Sequence, residues 1–163
     1  MNRPIARALP VALLVLATAA PVLAEGGRGA TFELFGTHVR STADSRYHQE
    51  AFGLRGGYRF GSTWAVEGEV SQLYKDVWFG DLSAKAYLID TSRFEIYALA
   101  GPGLYKVRGQ GSGEATVHVG IGAEVGLTSR LYLRPEVRGR WLAEELKAND
   151  GIVQYSLGLG WRF

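Results

Sequence analysis

The sequence YSLGLGWRF, residues 155–163, alternates between apolar side chains and small or polar ones. A period of two is the pattern of a β-strand whose two faces meet different surroundings. Chain termini usually fray, so a strand with an aromatic residue at its last position indicates that something pairs with it. The apolar positions of this strand are Tyr155, Leu157, Leu159, Trp161 and Phe163.

Seven further segments show the same alternation. After residue 25 the apolar residues repeat with a period of two and not with the helical period of 3.6. One of them, residues 94–105, is apolar on both faces, so its orientation stays open. The segments are residues 31–38, 51–60, 64–70, 78–89, 94–105, 116–127 and 131–141.

Short and longer connections alternate between these segments. GST (61–63), DTS (90–92) and TS (128–129) are tight turns, whereas the remaining connections are longer or more polar: residues 40–49, 74–76, 108–114 and 144–151. An even number of strands with short turns at one end and longer loops at the other is typical of outer-membrane barrels. The sequence therefore predicts an all-β fold, an eight-stranded antiparallel up-and-down transmembrane β-barrel.

The orientation of the two faces separates a membrane barrel from a soluble one. A barrel in lipid must pair its backbone groups within itself, and its apolar side chains then face outward. The polar face is rich in glycine at Gly120, Gly122, Gly158 and Gly160, which suits a narrow interior better than a solvated surface. Aromatic residues also cluster near the strand ends, as in an interfacial girdle. Both features favour lipid over the alternative, a soluble barrel.

A membrane barrel would collect the charged residues of the polar face in its lumen. Seven basic and six acidic side chains can pair there, and eight strands enclose an interior filled by side chains, not a wide pore. The predicted lumen charge network is Glu33, Arg55, Arg59, Glu67, Glu69, Asp81, Lys85, Glu124, Arg134, Glu136, Arg138, Arg140 and Arg162.

The N-terminus has the layout of a secretory signal peptide. Arg3 and Arg7 precede an apolar run over residues 9–20, and Ala24 ends a small-residue cleavage motif. We therefore predict a signal peptide over residues 1–24 and a barrel domain over residues 25–163; the alternative is an N-terminal anchor helix.

Composition excludes several classes of function. The chain has no cysteine, which rules out disulfides, cysteine metal sites and thiol catalysis. Two of the 18 Lys and Arg residues lie in the predicted signal, and the other 16 balance the 16 Asp and Glu. A neutral mature chain gives no indication of nucleic-acid binding.

Four stretches carry a resemblance to a known group: residues 58–71, 97–105, 120–138 and 155–163. Together they resemble the small outer-membrane β-barrel domain family, the OmpA-like and OmpX-like group often labelled porin family. The resemblance implies placement in the bacterial outer membrane, with the N-terminus and the tight turns facing the periplasm. We predict a monomeric integral protein in contact with outer-membrane lipid and lipopolysaccharide, with a structural role in envelope integrity and surface interactions as an addition.

The same resemblance assigns a role to the terminal strand. In this family a final strand ending in phenylalanine is the signal read by the barrel assembly machinery. The matching residues here are Tyr155, Leu157, Leu159, Trp161 and Phe163.

Two other functions stay open: a lipid A-modifying enzyme and a surface adhesin. A hydrolase of this kind places His and Ser two residues apart on one strand, and none of His38, His48 and His118 meets that spacing. A strand-paired serine elsewhere stays possible. His118 could act as a base or a pH switch in the lumen, and its alternative role is a satisfied lumen side chain. We predict no catalytic, cofactor or metal site, and an adhesin would use the loops at 40–49 and 144–151.

Overall fold

The chain forms a closed barrel of eight strands. A computed structural model describes residues 29–42, 48–73, 77–91, 93–109, 112–142 and 151–163. Each strand pairs antiparallel with the next, and β1 pairs with β8, so the predicted fold class is confirmed. The strands are β1 (Gly29–Ser41), β2 (His48–Phe60), β3 (Trp64–Leu73), β4 (Val77–Asp90), β5 (Phe94–Val107), β6 (Glu114–Gly126), β7 (Leu131–Leu142) and β8 (Gly151–Arg162).

Some expectations lie outside the described residues, namely the signal peptide over 1–24 and the central parts of the longer connections. We call the barrel end that carries those connections the loop end, and the end with the tight turns the turn end. No described helix is long and apolar enough to cross a membrane.

The terminal strand is held on both edges. On one side β8 pairs with β1, where Phe32 lies opposite Trp161, and on the other it pairs with β7. The Phe163 N–H donates a hydrogen bond to the Ala30 carbonyl at 3.1 Å. The last residue of the chain is therefore part of the barrel wall.

The apolar faces point outward. On β3, Trp64 and Val70 are more than half exposed at 57% and 52%, whereas Glu67 and Glu69 are buried in the interior at 4% and 6%. This arrangement inverts that of a soluble barrel and places the polar face in a closed lumen.

Strand β5, whose orientation the sequence left open, turns an apolar face inward. Tyr97 and Leu99 are buried in the lumen, and Leu104 faces out. The Tyr97 ring fits because β6 has a glycine beside it: a Cβ added at Gly122 would lie 2.2 Å from the Tyr97 hydroxyl.

The lumen is not polar throughout, which corrects the expectation that polar side chains alone face inward. At the loop end Val39, Ala51, Leu73 and Phe79 form a buried apolar cluster. Val77, Tyr105 and Ile152 pack against it. This loop-end cluster lies on the loop side of the charged centre, because each of its members stands nearer the loops than the inward-facing charged residues of its own strand.

Candidate functional site

The centre of the lumen is an ion-pair network built around two arginines. Arg55 on β2 contacts Glu33 at 2.8 Å, Glu69 at 2.7 Å and Glu136 at 3.0 Å. Arg134 on β7 pairs with Glu136 at 2.6 Å and with Glu33 at 3.4 Å. Each guanidinium thus links carboxylates from several strands across the barrel.

A second group lies toward the loop end and centres on Asp81. Its carboxylate accepts hydrogen bonds from Arg138 at 3.0 Å and from Arg140 Nη1 at 2.7 Å. Arg138 also pairs with Glu69 at 3.0 Å and Glu136 at 2.8 Å, which joins this group to the centre.

A third group lies at the turn end. Arg162 of β8 reaches across the lumen to Glu124 at 2.7 Å and also pairs with Glu95. Arg59 contacts Glu95 at 2.6 Å and Asp90 at 2.8 Å. Strands β2, β4, β5, β6 and β8 are therefore connected at this rim.

The structure places all thirteen sequence-predicted lumen residues in the interior, and each makes at least one ion pair. Lys85 pairs with Glu124, and Glu67 with Arg134. The remaining residues pair as described for the centre, the Asp81 group and the turn end.

Sequence reasoning missed two members of the network, the buried Glu95 and the half-exposed Asp90 at the turn end. Glu95 lies on β5, opposite Glu124 of β6, in the segment whose faces could not be told apart. Glu95 lies two residues before Tyr97 and shares its face of β5, so knowledge of the inward face would have identified it. Glu95 brings the lumen acids to seven, equal to the seven basic residues. Within the described residues the lumen therefore neutralises itself.

Aromatic rings separate and cover the charged groups. The Arg55 guanidinium lies 3.9 Å from the Phe35 ring centroid, and that of Arg140 lies 4.3 Å from Phe79. The Tyr97 hydroxyl donates to Glu136 at 2.7 Å. Such stacking is favourable for a desolvated cation, so the rings stabilise charges that water does not reach.

A serine–histidine contact lies within the Asp81 group. Ser83 Oγ is 2.8 Å from His118 Nε2, and His118 Nδ1 is 3.8 Å from Asp81 Oδ1. Ser83 is on β4 and His118 on β6, and they meet across Gly101 of β5, which lies opposite His118. No short sequence motif encodes a contact between strands that are not neighbours.

This array has the elements of a nucleophile and base, but its setting differs from that of a hydrolase. Ser83 and His118 are 2% and 1% exposed, and the Asp81 carboxylate is already bound by two guanidinium groups. A hydrolase needs its nucleophile open to substrate. Among the described residues no group of His, Asp and Glu side chains could hold a metal ion.

The residues predicted as the assembly signal lie on the outer wall. Tyr155, Leu157, Leu159, Trp161 and Phe163 are all exposed. Their side chains would face lipid in a membrane.

The chain matches the model of the outer membrane protein beta-barrel domain family over residues 9–163. It belongs to this family. The protein is therefore an outer-membrane β-barrel protein, and membership places it in the bacterial outer membrane.

Solved structures show the same fold at low identity. The N-terminal β-barrel domain of Pseudomonas aeruginosa OprF is 16% identical, with a TM-score of 0.64, over 82% of this chain and 97% of that one. The attachment invasion locus protein Ail of Yersinia pestis is 16% identical, with a TM-score of 0.62, over 85% and 100%. Neisserial surface protein A is 17% identical, with a TM-score of 0.61, over 85% and 100%. No curated protein sequence matches the chain.

Proposed function

We propose that the protein is a monomeric structural barrel that supports the integrity of the outer membrane and does not act as a wide pore. The observation that carries this proposal is the lumen, in which seven basic and seven acidic side chains pair with one another. The lipid and lipopolysaccharide around the barrel are its permanent partners.

The physical argument concerns what can pass through such a lumen. Eight strands enclose an interior just wide enough for side chains. A solute would have to separate buried ion pairs and also cross the loop-end cluster of Val39, Ala51, Leu73 and Phe79. Removing one partner of a buried pair is strongly unfavourable, so the paired lumen favours a static, closed barrel.

The experiment combines conductance with envelope permeability. Purified protein in a planar bilayer should give no stable open-pore conductance, and cells lacking the gene should take up large antibiotics and detergents faster than the parent. Re-expressing the wild-type chain should restore the barrier. Steady conductance steps, or an unaltered barrier in the deletion strain, would refute the proposal.

We also propose that the barrel assembly machinery reads the terminal strand. Support comes from Trp161 and Phe163, which are exposed on the outer wall next to the seam with β1. Deleting Phe163 should lower the amount inserted in the outer membrane while leaving synthesis and export unchanged. Fractionation and immunoblotting measure both, and equal insertion of the two chains would contradict this role.

Surface interaction is the second candidate, because Ail, one of the structural neighbours, is an attachment invasion locus protein. The loops that would carry it, at 40–49 and 144–151, lie largely outside the described residues. Complementation separates the two roles: a chain with both loops shortened should still restore the barrier. Loss of cell binding with an intact barrier would assign adhesion to the loops. The closed Ser83–His118 array does not favour the lipid A-modifying alternative.

A further inference from the structure

The outward faces of the strands carry charge in one main place. Near the loop end, four residues of β1 and β2 point outward and are exposed: His38, Arg40, His48 and Glu50. Their chain neighbours Val39 and Ala51 are buried in the lumen, which fixes the orientation. We call these four residues the outer polar patch.

The patch is continuous across two strands. Arg40 lies opposite His48, and His38 lies opposite Glu50. The two imidazole rings stack, with centroids 5.9 Å apart and planes at 20°. Tyr155 of β8 lies opposite His38 on the other side and is half exposed, so an aromatic ring borders the patch.

Arg40 differs from the cations of the lumen. All seven lumen cations have carboxylate partners within the chain. Within the described part of the chain the Arg40 guanidinium makes no ion pair and no hydrogen bond to another side chain, and the diagonally placed Glu50 does not pair with it. Its exposed charge is therefore available to an anion beside the barrel wall.

The height of the patch indicates what those surroundings are. Along β1 the outward positions are apolar or glycine from Ala30 to Gly36, and His38 follows. A strand that rises about 3.3 Å per residue and tilts by about 40° climbs roughly 20 Å from Ala30 to His38. The apolar band of an outer-membrane barrel is about 25 Å tall, so Arg40 lies where hydrocarbon gives way to head groups.

We propose that the outer polar patch binds a phosphate group of a phosphorylated glycolipid in the outer leaflet. The proposal rests on the outer-membrane orientation used above, in which the loop end faces outward. Arg40 supplies the planar fork that matches two phosphate oxygens, and His38 and His48 supply ring N–H donors beside it. Tyr155 packs against the sugar or acyl portion at the level below. Glu50 opposes the anion and limits its affinity.

The test measures lipid that stays bound to the purified barrel. Full-length mature protein in nonionic detergent is mixed with bis-phosphorylated lipid A or with the same lipid after removal of both phosphates, and bound lipid is counted by native mass spectrometry. The phosphorylated form should bind preferentially. Arg40→Gln should lower its binding by about fivefold, the order expected for one basic side chain at an anionic surface. Glu50→Gln should raise it.

Lys106→Gln is the matched control, because Lys106 is also exposed near the loop end, opposite Trp78 on β4, away from the patch. The Lys106→Gln variant loses one positive charge, as Arg40→Gln does, and its binding of the phosphorylated lipid should stay close to that of the wild type. Gel mobility with and without boiling verifies that each variant is folded.

Three outcomes would overturn the site: equal binding of the two lipids, an equal loss in Lys106→Gln, or displacement of the lipid by equimolar inorganic phosphate. The last would assign the patch to free phosphate. An unaltered envelope in the deletion strain would refute the structural role and leave this binding result standing, so the two failures are distinguishable.

Discussion

The centre of the lumen and its loop end lie on the inner faces of the same strands but are held together by different forces. The centre joins Arg55, Arg134 and Glu136 through ion pairs, and the loop-end cluster packs Phe79 against apolar neighbours. The two regions meet where the Arg140 guanidinium lies 4.3 Å from the Phe79 ring centroid. Apolar packing therefore joins the strands at the loop end, whereas at the centre paired charges connect strands that are not neighbours.

The largest effect is expected from breaking the centre. Glu136→Ala removes the shared partner of Arg55, Arg134 and Arg138 and leaves three buried cations short of a carboxylate. The free energy of unfolding should fall by about 3–5 kcal/mol, the usual result of unpairing a buried charge. Urea unfolding of the barrel in detergent, followed by tryptophan fluorescence, measures this. A loss below about 1 kcal/mol would show that the network is solvated.

A smaller effect is expected at the loop end. Phe79→Leu keeps the site apolar and removes part of a ring, so unfolding should become easier by about 1–1.5 kcal/mol. Leu82→Ala, on the exposed outer face of the same strand, is the control and leaves no interior cavity. Both variants are measured in the same urea series. If Phe79→Leu lowered the free energy of unfolding as much as Glu136→Ala, the distinction between the two regions would be removed.

The smallest effect is expected at the turn end. The Asp90 side chain is 42% exposed where it contacts Arg59 at 2.8 Å. Asp90→Asn should cost at most about 1 kcal/mol, because exposed pairs are weak and screened by salt. Repeating the unfolding in about 1 M salt should abolish this difference but preserve most of that for Glu136→Ala. Equal salt sensitivity of both variants would mean that water reaches the centre.

Much of the fold could be predicted from the sequence, because period-two alternation assigns both the strand and its face. Trp64, Glu67 and Val70 on β3 were placed correctly from the pattern alone. Alternation does not assign a face where both faces are apolar, as on β5, and Glu95 was missed for that reason. The pattern also assigned the lumen a uniformly polar face, which Phe79 contradicts, because alternation says nothing of how the interior changes along the barrel axis.

The pairing within the lumen was beyond sequence reasoning. Arg55 and Glu136 are 81 residues apart and belong to strands that are not neighbours, so only the stagger of the closed barrel brings them together. The same holds for Ser83 and His118, which lie on β4 and β6 with Gly101 of β5 between them.

The inner face of β8 carries Ser156, Gly158 and Gly160 along its middle. A Cβ added at Gly158 would lie 2.1 Å from Glu33 Oε1, and one added at Gly160 would lie 2.0 Å from the Tyr132 ring. Side chains from the two adjoining strands therefore occupy the space beneath the seam. Because Gly158 and Gly160 have no side chains, β8 can pair with β1 and β7 when Glu33 and Tyr132 already occupy the lumen. The register is fixed because each glycine must lie over the side chain that it accommodates.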